Sequence, residues 1–129
     1  IAQMMFNSPF GTSDAMDLAK MIACLEMTSP LQGSDFRIWR QTRTGLLSYP
    51  LDIHAARAHL AASVYLQMSL KPHILHVVGH TEAHHAATEG DIVEARGTLE
   101  MVLRRGEKRY RVVLGSKDDY LVPVHLLDA

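Results

Sequence analysis

The sequence predicts an α/β domain built on parallel strands, and three observations predict it. Three apolar runs, Ala2 to Phe6, Phe36 to Gln41 and His73 to Val78, each lead into a polar loop and then a helical pattern. Their starts lie 34 and 37 residues apart, the length of a repeated strand-helix unit. The runs also lack an in-out alternation of polar and apolar residues, as expected of parallel strands covered on both faces. Crossovers between such strands are right-handed.

Each element has a local reason. The first helix is expected over Asp14 to Met27, because Thr12 to Asp14 supply oxygens that accept from free N–H groups and Ser29-Pro30 stops the turn. Its apolar stripe is Ala15, Leu18, Ile22 and Leu25, and Cys24 beside it reads as a packing residue. The second helix is expected over Ile53 to Leu70, with Asp52 at its cap, Ala56, Leu60, Val64 and Met68 on one face, and Lys71-Pro72 at its end. The third is expected over Glu89 to Arg104. Thr88 and Asp91 form a variant capping box, Ile92, Ala95, Leu99 and Val102 share a face, and Arg104, Arg105 and Gly106 suit its carboxyl end.

After Gly106 the pattern changes. Arg109 to Leu114 and Tyr120 to Leu126 are extended runs separated by Gly115-Ser116-Lys117-Asp118-Asp119, so the tail is hairpin-like. Pro123 favours an edge position, since proline cannot donate to a ladder. Residues 1–106 are thus expected as three βα units of a barrel-like domain, and 107–129 as a hairpin-like tail packed on it.

Composition narrows the function classes. A chain of 129 residues is long enough for one core and short for two. Thirteen Lys and Arg against fourteen Asp and Glu give a net charge of −1, which supplies no bulk field for nucleic acid. The longest runs free of Asp, Glu, Lys and Arg span thirteen residues, short of the roughly 18 a membrane helix needs. Neither nucleic acid nor membrane is expected as a partner. The lone Cys24 excludes an internal disulfide and fits a reducing, cytoplasmic location. The chain opens on Ile1, as a segment of a longer protein would.

Ligands of parallel α/β sheets gather at the carboxyl ends of the strands. Three polar loops fall there: Asn7 to Gly11, Gln41 to Gly45, and Gly79 to His85. Asn7 offers an amide to a polar ligand, or completes a turn. Arg40 and Arg43 carry guanidinium groups that suit a small acidic substrate. His76, His80, His84 and His85 cluster along the sequence with Glu82, yet the Glu is not placed as in a zinc-binding H-E-x-x-H, and no metal is expected. No nucleotide-binding glycine loop, serine elbow or paired cysteine motif is present.

The runs Asp14-Ala15-Met16-Asp17-Leu18, Phe36-Arg37-Ile38-Trp39, Tyr49-Pro50-Leu51-Asp52, Ala61-Ala62-Ser63-Val64 and His76-Val77-Val78-Gly79-His80-Thr81-Glu82-Ala83 resemble the large, barrel-forming subunit of adenosylcobalamin-dependent glutamate mutase (methylaspartate mutase). The likeness covers roughly residues 1 to 105. It implies part of a TIM barrel that receives adenosylcobalamin at its carboxyl mouth, with a separate small cobalamin-binding subunit on the corrin. By that resemblance Glu82 and His80 line the cofactor mouth and Arg43 grips the substrate, while Val78 stands where the family carries a lysine. A full barrel takes about 250 residues, so the resemblance implies a C-terminal-half barrel fragment or a diverged relative. Bare sheet edges would then favour a homo-oligomer. Two functions follow as expectations: part of a cobalamin-dependent carbon-skeleton isomerase, whose isolated chain is inactive, or a noncatalytic α/β binding or assembly module.

Overall fold

The computed structural model of the protein describes residues 2–8, 12–105, 110–112 and 121–126, with side chains described over 12–104. In chain order the elements are β1 (Ala2–Ser8), α1 (Asp14–Thr28), β2 (Ile38–Thr44), α2 (Ile53–Gln67), β3 (Ile74–His76), α3 (Glu89–Arg105), β4 (Tyr110–Val112) and β5 (Leu121–Leu126). The three helices start where their caps predict. Ser13 Oγ accepts from Met16 N at 3.3 Å, and Asp52 Oδ1 accepts from Ala55 N at 2.8 Å. Thr88 N donates to Asp91 Oδ2 at 2.8 Å while Asp91 N donates to Thr88 Oγ1 at 3.3 Å, the reciprocal pair of a capping box. The last turn of the second helical segment tightens into a 3₁₀ turn over Met68–Leu70, and Lys71 ends it in the left-handed region at φ 48°.

The sheet order is β1-β2-β3-β5-β4. Strands β1, β2 and β3 are parallel, with Ala2 opposite Ile38, Ser8 opposite Thr44, and Thr42 opposite Leu75. Three consecutive parallel βα units therefore exist. The tail closes on them in antiparallel fashion: β5 pairs with β3 and β4 pairs with β5. The segment expected as a turn, Gly115 to Asp119, lies outside the described residues, as do Pro9 to Gly11 and Gly106.

Three expectations are corrected. The first concerns where the helices lie. Strand order never reverses among β1, β2 and β3, and right-handed crossovers in one direction deliver successive helices to the same face. Thr44 and Leu75 turn to that face, where Thr44 Oγ1 meets Ser63 Oγ of α2 at 2.5 Å and Leu75 enters the core with α2 and α3. The second is Pro123 at an edge. β5 has neighbours on both sides, but they share it: residues 121–123 pair with β3 and 124–126 with β4. Among the described residues Pro123 thus pairs on one side only, which eases the conflict with its missing N–H.

The third correction concerns α1. Its buried positions are Asp17 and Met21, Leu18 and Leu25 are half-buried, and Ala15, Ile22 and Cys24 are exposed. A carboxylate occupies the inner face because it is served there. Thr12 Oγ1 donates to Asp17 Oδ1 at 2.9 Å, and Lys20 Nζ lies 3.1 Å from the same oxygen. Met21 forms a small cluster with Leu70, while Met16 and Met27 face outward.

The main core lies between the sheet, α2 and α3. Ala56, Leu60 and Val64 of α2 and Ala95, Leu99 and Leu103 of α3 close over Leu75, Tyr49 and Val78. The four-residue spacing of these side chains places each set on one helix face: Ala56, Leu60, Val64, Ala95 and Leu99 of the predicted stripes are buried, Met68, Ile92 and Val102 are half-buried, and Leu103 takes the inner place expected of Val102.

Candidate functional site

Register brings two sequence-predicted residues together. Asn7 of β1 is the Cα partner of Arg43 in β2, and Arg43 is in turn the partner of His76 in β3. The three residues form one transverse row near the carboxyl ends of the parallel strands. Asn7 and Arg43 were expected in loops; both lie within strands, because β1 and β2 run on to Ser8 and Thr44. Thr42 and Thr44 face α2, so Arg43 and Gln41 occupy the opposite face by the two-residue alternation of a strand.

Gln41 and His76 complete this face. Gln41 is 1 % exposed, and its Nε2 lies 3.4 Å from His76 Nδ1. Burial lowers the His76 pKa, the nearby Arg43 charge lowers it further, and Glu82 opposes them by raising it. His76 is accordingly held toward its neutral form. With Nδ1 accepting from Gln41, the ring proton sits on Nε2 as a donor. The row sets a guanidinium level with an imidazole N–H, groups of the kind that pair with a carboxylate. Sequence reasoning passed over Gln41. The available signal was a polar residue two positions before Arg43 inside a strand, which places both on one face.

The remaining predicted residues go elsewhere. Arg40 lies on the other face from Arg43, and its Nε donates to the carbonyl of Lys71 at 3.0 Å, closing the carboxyl end of α2. Burial lowers its pKa. His80 is 1 % exposed beneath α2 and α3, with Nε2 at 3.6 Å from Glu94 Oε2. Glu94 itself is held by Arg57, whose Nη2 donates to Oε2 at 3.0 Å. Glu82 is exposed, and its carboxylate folds back to accept from Gly79 N at 2.5 Å. The histidines of this loop separate accordingly: His76 joins the sheet face, His80 is buried, and His84 and His85 are exposed. Among the described residues no three His, Cys, Asp or Glu side chains are placed to hold a metal ion. None of the described helices is long and apolar enough to cross a membrane.

The fit to an adenosylcobalamin mouth is tested by the same residues. Val78 is buried in the main core, His80 is enclosed under two helices, and Glu82 closes its own turn. These three side chains do not converge on one opening, so they do not fit that group.

The cap of α3 carries a testable charge. The N–H of Thr88, then its hydroxyl, and to a smaller degree His85, hold Asp91 down at about 2. A carboxylate depressed in the folded state contributes stability above its unfolded value of about 4, and loses it as pH falls through the folded one. Amides of the first turn of α3 are expected to lose exchange protection between about pH 4 and 2, in step with Asp91 protonation. An NMR titration with Asp91→Asn as the reference checks this; protection independent of Asp91 protonation would refute it.

Fold and face together define an open α/β unit, three parallel βα repeats closed at one side by a hairpin, with a polar row on the sheet face away from the helices. Comparison with protein-family models, curated proteins and solved structures gives no match.

Proposed function

We propose that the chain is a noncatalytic α/β binding unit for a small dicarboxylate, held on the sheet face by Arg43 with His76, in the row whose β1 position is Asn7. The single observation that carries this reading is the Asn7, Arg43 and His76 row, which aligns three polar positions of adjacent strands at one level. Arg43 supplies the charge and His76 a directed N–H, while Gln41 fixes the His76 tautomer. The misfit of Val78, His80 and Glu82 to an adenosyl group supports binding without the isomerase chemistry.

A second reading, part of a cobalamin-dependent carbon-skeleton mutase or its diverged relative, draws support from one feature: the consecutive order of β1, β2 and β3 that a barrel requires. In that setting the same row would serve the acidic substrate, and a small cobalamin-binding subunit would complete the protein.

Calorimetric titration separates them. L-Glutamate is expected to bind the folded chain, and Arg43→Ala to weaken it about tenfold through loss of a charge-assisted contact. Glutamate binding without adenosylcobalamin binding supports the binding unit, whereas tight adenosylcobalamin binding with a small subunit supplied favours the mutase. Absence of any dicarboxylate binding by a chain shown to be folded removes the proposed site.

A further inference from the structure

The opposite end of the sheet carries a separate feature. A cavity of about 490 Å³ opens at the amino ends of β2 and β3, with Gln32, Phe36, Arg37, Ile38, Trp39 and His73 among the residues that line it. Its size falls in the range of small-molecule sites. The ligand-facing chemistry is consistent from wall to wall. Trp39 is 36 % exposed, and its ring stands 5.3 Å from that of His73 at an interplanar angle of 65°. An edge-to-face pair leaves aromatic surface available to a third ring.

The polar groups around it are donors. His73 is locked by reciprocal bonds: its N–H donates to the Arg40 carbonyl at 2.9 Å, and its Nδ1 accepts from Arg40 N at 3.0 Å. Burial, followed by the Arg40 charge, lowers the His73 pKa. The neutral ring therefore carries its proton on Nε2. Gln32 uses its carbonyl Oε1 to accept from Ile38 N at 3.3 Å, which leaves its NH₂ group as the free end. Arg37 adds one guanidinium, and among the described residues no acidic side chain lines the cavity. One full positive charge, two neutral donors and an aromatic wall select a singly charged planar anion over a polyphosphate or a cation.

We propose that this groove is a binding site for a small aromatic carboxylate, its ring against Trp39 and its carboxylate on Arg37. The site is distinct from the Arg43 row and stands independently of it.

Trp39 is the sole tryptophan of the chain, so its emission reports the site directly. Benzoate, which does not absorb at the wavelengths that excite tryptophan selectively, is the probe. Saturable change in Trp39 emission at millimolar benzoate is expected, with the indole N–H signal moving in NMR over the same range. Arg37→Gln, at an exposed position, is expected to weaken benzoate about tenfold. Cyclohexanecarboxylate should bind more weakly than benzoate, and saturating L-glutamate should leave benzoate affinity unchanged. The proposal is overturned by the absence of change in both signals, by equal affinity in Arg37→Gln, by equal affinity for the saturated acid, or by competition from glutamate.

Discussion

Leu75→Ala is expected to lower the stability of the domain by about 2–5 kcal/mol, the range measured when large buried aliphatic side chains are cut back in close-packed cores. Leu75 sits at the centre of β3 with no exposed surface, and it touches the cluster formed by α2 and α3. No neighbour can collapse cheaply into the space, because Leu60 and Leu99 are fixed on helices and the strand is held on both sides by β2 and β5. Domains of this size have about 5–15 kcal/mol to lose, so the variant should melt far below the parent protein. Urea unfolding followed by circular dichroism checks it. A loss below about 1 kcal/mol would show that Leu75 is not at the centre of the core.

Tyr49→Phe is the second large effect, and its origin is polar. Tyr49 is buried, and its hydroxyl donates to the carbonyl of Val78 at 2.7 Å. Burial raises its pKa, so the phenol stays protonated and remains a donor across the working range. Removing that oxygen leaves the Val78 carbonyl without its donor at the entrance to the Gly79 turn. The expected cost is about 1–3 kcal/mol, the penalty of an unsatisfied buried acceptor. Faster hydrogen exchange at Gly79 N, whose partner is Glu82, should accompany it. An unchanged midpoint and unchanged exchange would mean that water replaces the hydroxyl.

What the sequence made legible follows the strength of each local signal. The stripes of α2 and α3 repeat every four residues and sit between capped ends, so Leu60, Val64, Ala95 and Leu99 were readable as core. α1 was misread because its inner face includes Asp17. That carboxylate is acceptable only through Thr12 and Lys20, and such pairing is a tertiary arrangement that periodicity does not carry. Strand ends were set too early at Phe6 and Gln41 because Asn7, Thr42, Arg43 and Thr44 are polar, and parallel pairing overrides that preference in β1 and β2.

The candidate site divides along the same line. Arg43 and Asn7 were legible as residue types suited to a polar ligand, but their adjacency depends on register, which a single sequence does not fix. Arg40 was read together with Arg43 from its proximity in the chain. A strand sends residues three apart to opposite faces, and that alternation separates the two guanidinium groups. His80 is in the predicted loop, yet the turns that bond Glu82 N to Gly79 O and His84 N to Thr81 O direct it under the helices.

The divided pairing of β5 has a consequence for the order of folding. The βα units can form from neighbours close in sequence, whereas β5 reaches β3 only by closing a loop across the whole of α3 and β4, a pairing of high sequence separation. Among the described residues its hold on β3 is three residue pairs, so β5 is expected to belong to a less stable cooperative unit than α2 and α3. His76, the last member of the Arg43 row, is paired on its outer side with Leu121 of that strand. Excursions in which β5 releases β3 would therefore open one wall of the row while its Asn7 and Arg43 positions stay paired. Occupancy of the row should slow such excursions in proportion to the binding energy, coupling a ligand near the carboxyl ends of the strands to the protection of the terminal hairpin.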